Sequence, residues 1–124
     1  MTMAETTQES APFIARATAT DELIESTAAN DVVEFYRRQN GLTGTDVEWV
    51  IFDHPAVTQA PDSGDVEDVL DELDEQFKGG IPLGIITAAM SKQGWTVGET
   101  IASLHELRMS GALWEPRDDH LRPV

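Results

Sequence analysis

GWTVGETIASLHELRMSGALWEPRDDHLR, residues 94–122, reads as one helix followed by one β-hairpin. Thr96-Val97-Gly98-Glu99 is a capping box. The threonine hydroxyl accepts from the N–H three residues on, and the glutamate reaches back to the threonine's own N–H. The helix that opens there carries Ile101, Leu104, His105, Leu107 and Met109 and stops near Ser110-Gly111. Ala112-Leu113-Trp114-Glu115 follows as a short strand, Pro116-Arg117-Asp118-Asp119 as a turn and His120-Leu121-Arg122 as the returning strand.

Two more helices precede this stretch. Val66, Val69, Leu70, Leu73 and Phe77 recur at helical spacing after Ser63-Gly64-Asp65, which predicts an amphipathic helix capped by Asp65 and closed by Gly79-Gly80. A second helix begins at about Leu83, with Pro82 presetting its first turn. Ile85, Ile86, Ala89 and Met90 form its core side, and Gln93-Gly94 ends it. The order helix, helix, tight turn, helix, hairpin is that of a winged helix-turn-helix domain over residues 65–124.

Upstream, residues 1–12 are polar and aperiodic and read as a disordered leader. Residues 13–53 form a small mixed segment, read as helix–helix–strand. Thr20-Asp21-Glu22 opens a helix bearing Leu23 and Ile24; Asn30 or Asp31 opens a second with Val32, Val33 and Tyr36 on one side. Val47, Trp49, Val50, Ile51 and Phe52 favour a strand, against a Thr45-x-x-Glu48 capping box that favours a helix. Residues 54–64, with two Pro and one Gly, read as a linker. The fold class expected is mainly α with a small β-hairpin, a winged helix-turn-helix preceded by a partly ordered acidic segment.

The 124 residues carry a formal charge of −15, concentrated in residues 1–78, which hold 18 acidic and 4 basic side chains. An Asp/Glu-rich, Lys-poor surface suits molar salt, where screening over about 3 Å suppresses self-repulsion. The absence of Cys excludes disulfides, thiolate metal sites and cysteine nucleophiles, and fits a cytoplasmic protein. No Walker loop, dinucleotide fingerprint, HExxH or GxSxG occurs. No catalytic residue, cofactor or metal is therefore expected, and no small-molecule substrate or membrane partner is evident. His54, His105 and His120 lie far apart in the chain, which argues against a histidine metal site.

The residues left to carry function are polar or aromatic groups on the last helix and the hairpin: Arg108 and Ser103 on the helix, Trp114, Arg117 and Arg122 on the wing. A helix that reads base edges presents donors. Here the exposed positions are Gly98, Glu99, Ala102, Ser103, Glu106 and Ser110, with Arg108 as the lone cation. This face suits a protein partner better than a major groove, while Arg117 and Arg122 suit phosphate. Exposed Trp is favoured at interfaces, so Trp114 marks either the edge of a small core or a hot spot.

The stretch Gly111-Ala112-Leu113-Trp114-Glu115-Pro116-Arg117-Asp118-Asp119-His120-Leu121-Arg122 resembles the end of the C-terminal winged helix of archaeal minichromosome maintenance (MCM) replicative helicases, over roughly residues 65–124. The ATPase core and zinc-binding domain of those helicases have no counterpart here, so the resemblance implies only the role of the appended domain. That role is regulating a helicase or contacting DNA or replication partners. The expectation is a non-enzymatic interaction module of a replication or other DNA-handling complex, adapted to high salt, with a protein partner and/or double-stranded DNA. The alternative is a stand-alone DNA-binding transcription regulator.

Overall fold

A computed structural model describes residues 12–124. The leader read over residues 1–12 lies outside the described residues except for Pro12. The first elements are β1 (Phe13–Ala17), β2 (Leu23–Ser26), α1 (Asn30–Thr43) and β3 (Val47–Phe52). The strands form an antiparallel sheet of order β2-β1-β3. Alternation along β1 buries Phe13, Ala15 and Ala17. On β3, Ile51 pairs with Ile14 and Trp49 with Ala15, so Val50 is the extra residue of a bulge.

Then come α2 (Pro55–Gln59), α3 (Val66–Asp74), β4 (Ile81–Pro82), α4 (Leu83–Ser91), α5 (Val97–Met109), β5 (Leu113–Arg117) and β6 (His120–Pro123). The second antiparallel sheet has the order β4-β6-β5. Within 54–64, the stretch read as a linker, α2 forms under an N-cap from His54, whose Nδ1 accepts from the Ala56 N–H at 3.0 Å.

The described chain is thus mixed α/β rather than mainly α with a small β-hairpin. It is 44% helix and 23% strand, with five helices and two three-stranded antiparallel sheets. Two local readings account for the difference. Thr20-Asp21-Glu22 forms a hairpin turn and not a helix start. The Asp21 N–H donates to the Ala17 carbonyl and the Ala17 N–H to that of Glu22, both at 2.9 Å, with Asp21 at a φ of 60°. Ile81-Pro82, read as a helix lead-in, is instead a third strand paired with β6 through Ile81–Leu121 and Pro82–His120. A two-residue strand containing Pro carries no periodicity to read; its pairing partner lies about forty residues downstream in the sequence.

Residues of both halves meet in one apolar core. At its centre is α4, in which every residue from Leu83 to Met90 is buried. A helix apolar all round must be covered on all sides, and α1, α2, α3 and α5 all pack on it. Ile86 and Met90 are fully buried, each contributing roughly 1.5–3 kcal/mol by removal from water. Gly84 makes the closest approach. A Cβ there would stand 2.1 Å from the Ala29 carbonyl oxygen, so the starts of α1 and α4 touch backbone to backbone. The Gly84 N–H donates to Asn30 Oδ1 at 2.6 Å.

Polar contacts fix the remaining geometry. Asp46 accepts from the Val47 N–H, the Gly98 N–H and the Thr96 hydroxyl at 2.7–2.8 Å. It adds an acceptor to the start of α5, where both capping-box bonds are formed. Trp49 is half-buried and its indole N–H donates to the buried Thr87 hydroxyl at 3.1 Å, joining β3 to α4. Two of the residues read as carried by the last helix face solvent: Met109 is 76% exposed and His105 is also exposed. The helix packs through Val97, Thr100, Ile101, Leu104 and Leu107, so His105 falls on its outer side and Met109 follows the last packed residue. No helix among the described residues is long and apolar enough to cross a membrane.

Candidate functional site

Between the C-terminal half of α5 and strand β5 runs a surface groove. Its floor and walls include His105, Arg108, Met109, Trp114, Pro116 and Arg117. It exists because β5 leaves α5 at Gly111, which takes a φ of 86° that few other residues adopt. Leu113 and Leu121 then turn inward to the core, while alternation sends Trp114 outward.

Three of the residues singled out from the sequence meet in this groove. Trp114 is 50% exposed. Arg108 crosses the groove to Glu115 at 3.0 Å. The Arg117 guanidinium lies over the Gly79 backbone and has no ion-pair partner among the described residues. The other two are placed differently. Arg122 stands opposite Trp114 in the β5–β6 register, but its Nε is bound to Asp74 on α3 at 3.3 Å. Ser103 is partly buried and belongs to a separate shallow depression with Trp95, Glu99 and Glu106.

Sequence reasoning missed Met109, His105 and Pro116 as wall residues. For Met109 a signal existed: two residues before Gly111, it sits on the last helical turn, where core coverage commonly ends.

The hairpin that forms one wall is rigidly held. Asp119, at the turn with a φ of 59°, accepts on its carbonyl from the Leu83 N–H (2.8 Å) and Asn30 Nδ2 (3.1 Å). Its own N–H donates to Glu115 Oε2 at 2.7 Å. Its carboxylate takes a two-pronged contact from Arg37 of α1, at 2.9 and 2.8 Å. That hydrogen-bonded guanidinium holds the Asp119 carboxyl below its usual range, and the carboxylate in turn raises Arg37.

The groove is formally neutral on an acidic molecule, because Glu115 and Asp118 line it together with Arg108 and Arg117. Of the eight Lys and Arg side chains, only Arg38, Lys78 and Arg117 lack an ion pair among the described residues. The carboxylates of α3 remain a solvated face, with Glu67, Asp68, Asp71, Glu72 and Glu75 all exposed. Among the described residues no group of three or more His, Asp or Glu side chains could hold a metal ion.

Residues 71–121, from within α3 to β6, match the family model described as HVO_B0008 C-terminal domain. The chain is similar to that domain over this stretch, which contains the whole groove. No curated protein and no solved structure matches the chain.

Proposed function

We propose that this chain is a non-enzymatic interaction module of a DNA-handling complex, a cytoplasmic protein suited to high salt, that docks a partner protein in the groove between α5 and β5. One observation carries the reading: Trp114 and Met109 stand 50% and 76% exposed in one groove with Arg117, which has no ion-pair partner among the described residues. Aromatic, Met and Arg side chains are the types enriched at interfaces, and rigid aromatics anchor them at little entropic cost. The partner segment that fits presents an apolar side chain to Trp114 and a carboxylate to Arg117. The setting among DNA-handling complexes rests on the resemblance of the hairpin stretch to the tail of MCM helicases.

A stand-alone DNA-binding regulator is the competing reading, and unpaired Arg117 on the hairpin is the observation in its favour. One free cation in the groove is few for phosphate binding, since affinity for duplex grows with each phosphate neutralised.

The test pairs two measurements in molar potassium chloride. Affinity capture with the wild-type chain, Trp114→Ala and Arg117→Glu should retain a DNA-handling protein only on the wild type. An NMR titration with short duplex DNA should leave the α5 and β5 amides unmoved. Equal capture by all three chains, or saturable DNA-induced shifts along α5, would sink the reading.

A further inference from the structure

A separate cavity of about 270 Å³ lies among β1, the start of α1 and the β4 strand, and Phe13, His54, Phe77, Pro82, Ile85 and His120 are among the residues that line it. His54 and His120, distant in sequence, converge on its wall. The His54 ring stacks with Phe13 (6.3 Å between centroids, 21°) and with Phe77 (6.1 Å, 28°).

The backbone assigns the two imidazoles opposite hydrogen-bonding roles. His54 Nδ1 accepts from the Ala56 N–H at 3.0 Å. A ring nitrogen that accepts carries no proton, so in the neutral ring Nε2 holds the hydrogen and is a donor. His120 Nδ1 stands 2.7 Å from the Asp118 carbonyl oxygen. That oxygen has no hydrogen to give, so Nδ1 donates and Nε2 of the neutral ring is an acceptor. Neither Nε2 has a hydrogen-bond partner among the described residues. Among the described residues no Asp or Glu lines this cavity, on a chain that carries 23 acidic side chains.

We infer that this cavity binds a small planar heterocycle bearing a ring N–H and a carbonyl, the lactam chemistry of a free pyrimidine base. The carbonyl accepts from His54 Nε2–H at the edge of that imidazole, the ring N–H donates to His120 Nε2, and the rest of the heterocycle contacts the apolar lining of Phe13, Phe77, Pro82 and Ile85. An apolar cavity of about 150 Å³ holds one benzene ring, so this volume suits a single substituted ring. Removal of the ring from water against this lining supplies the remaining affinity.

The test uses the full chain in molar potassium chloride with uracil as the probe and N,N′-dimethyluracil as the control, which keeps both carbonyls and lacks a ring donor. Uracil should produce saturable shifts of the His54 and His120 ring signals, and dimethyluracil should bind about five- to tenfold more weakly, the worth of one hydrogen bond. His120→Asn retains a side-chain donor for the Asp118 carbonyl and should erase the difference between the two probes. His54→Asn retains an acceptor for the α2 cap and should weaken uracil binding by about five- to tenfold. Long-range ¹H–¹⁵N spectra of the wild type should show the Nε2–H tautomer for His54 and the Nδ1–H tautomer for His120. The inference is overturned by the opposite tautomers, by no saturable shift up to millimolar uracil, or by equal affinity of the wild type for both probes.

Discussion

Both sheets bury apolar side chains against the helices, and they differ in how their polar anchors are placed: the β2-β1-β3 sheet is tied to α4 and α5 by Trp49 and by Asp46 beside β3, the β4-β6-β5 sheet by one residue at its turn, Asp119. In the first sheet, Phe13, Ala15, Ala17 and Val47 are buried, with β1 packed on α1 and β3 on α4. In the second, Leu113 and Leu121 reach the core, but the turn hangs on Asp119, which bonds Leu83, Asn30, Glu115 and Arg37 at once. Apolar contact is non-directional and tolerates small shifts. Hydrogen bonds fix angle and distance. In the sheet that forms one wall of the groove, a single turn residue gathers bonds to α1, α4 and β5, and a docking face needs that rigidity to limit the entropy lost on binding.

Three perturbations break or sharpen this contrast. The largest effect belongs to the seam on which both sheets depend. Gly84→Ala places a methyl against the Ala29 carbonyl and should cost roughly 3 kcal/mol, because neither backbone can yield without disturbing the core. Urea unfolding measures it; a loss under about 1 kcal/mol would mean that α1 and α4 do not touch as described.

Next is Asp46→Ala, which strands three donors at the junction of β3 and α5 and should cost about 2 kcal/mol. Amide exchange should quicken in the first turn of α5 and not at the hairpin turn. Uniform quickening would show that the two anchors are not independent.

The smallest effect is that of Arg37→Ala. The pair with Asp119 is partly exposed, with side-chain exposures of 45% and 23%, so about 1 kcal/mol or less is expected. Its pH dependence carries the information. The Asp119 carboxyl is held below its ordinary 3.8, so its contribution is present above that value and lost as pH falls through the lowered one. Wild type and Arg37→Ala should therefore differ near neutral pH and converge in acid. A gap that persists once Asp119 is protonated would assign the loss to packing and not to charge.

Much of the C-terminal half is legible locally. Asp65, with its side chain on the Asp68 N–H, and Thr96 with Glu99 mark helix starts whose bonds span three residues. Gly94 and Gly111, at positive φ, mark the breaks after α4 and α5. Of the candidate site, Arg108, Trp114 and Arg117 could be picked out because they stand out by type against an acidic background. Ser103 could not be separated from them, because a helical position does not reveal which groove it borders. Arg122 was not recognisable as engaged, because Asp74 is brought to it only by the packing of α3 on β6.

Residues 13–53 were harder to read. Phe-Ile-Ala-Arg-Ala alternates only weakly, and Thr20-Asp21-Glu22 fits a cap as well as a turn. The amino-acid order specified what neighbours within one helical turn can settle: helix ends, breaks, the acidic surface and the lack of thiol chemistry. Folding in three dimensions settled what depends on distant partners. It selected strand over helix at Leu23–Ser26, recruited Ile81-Pro82 as a third strand, converted Asp119 into an anchor and brought His54 and His120 to one cavity. Capping is a contest among a few adjacent dihedrals, while strand pairing and side-chain convergence draw their free energy from contacts between segments that meet only once the chain is compact.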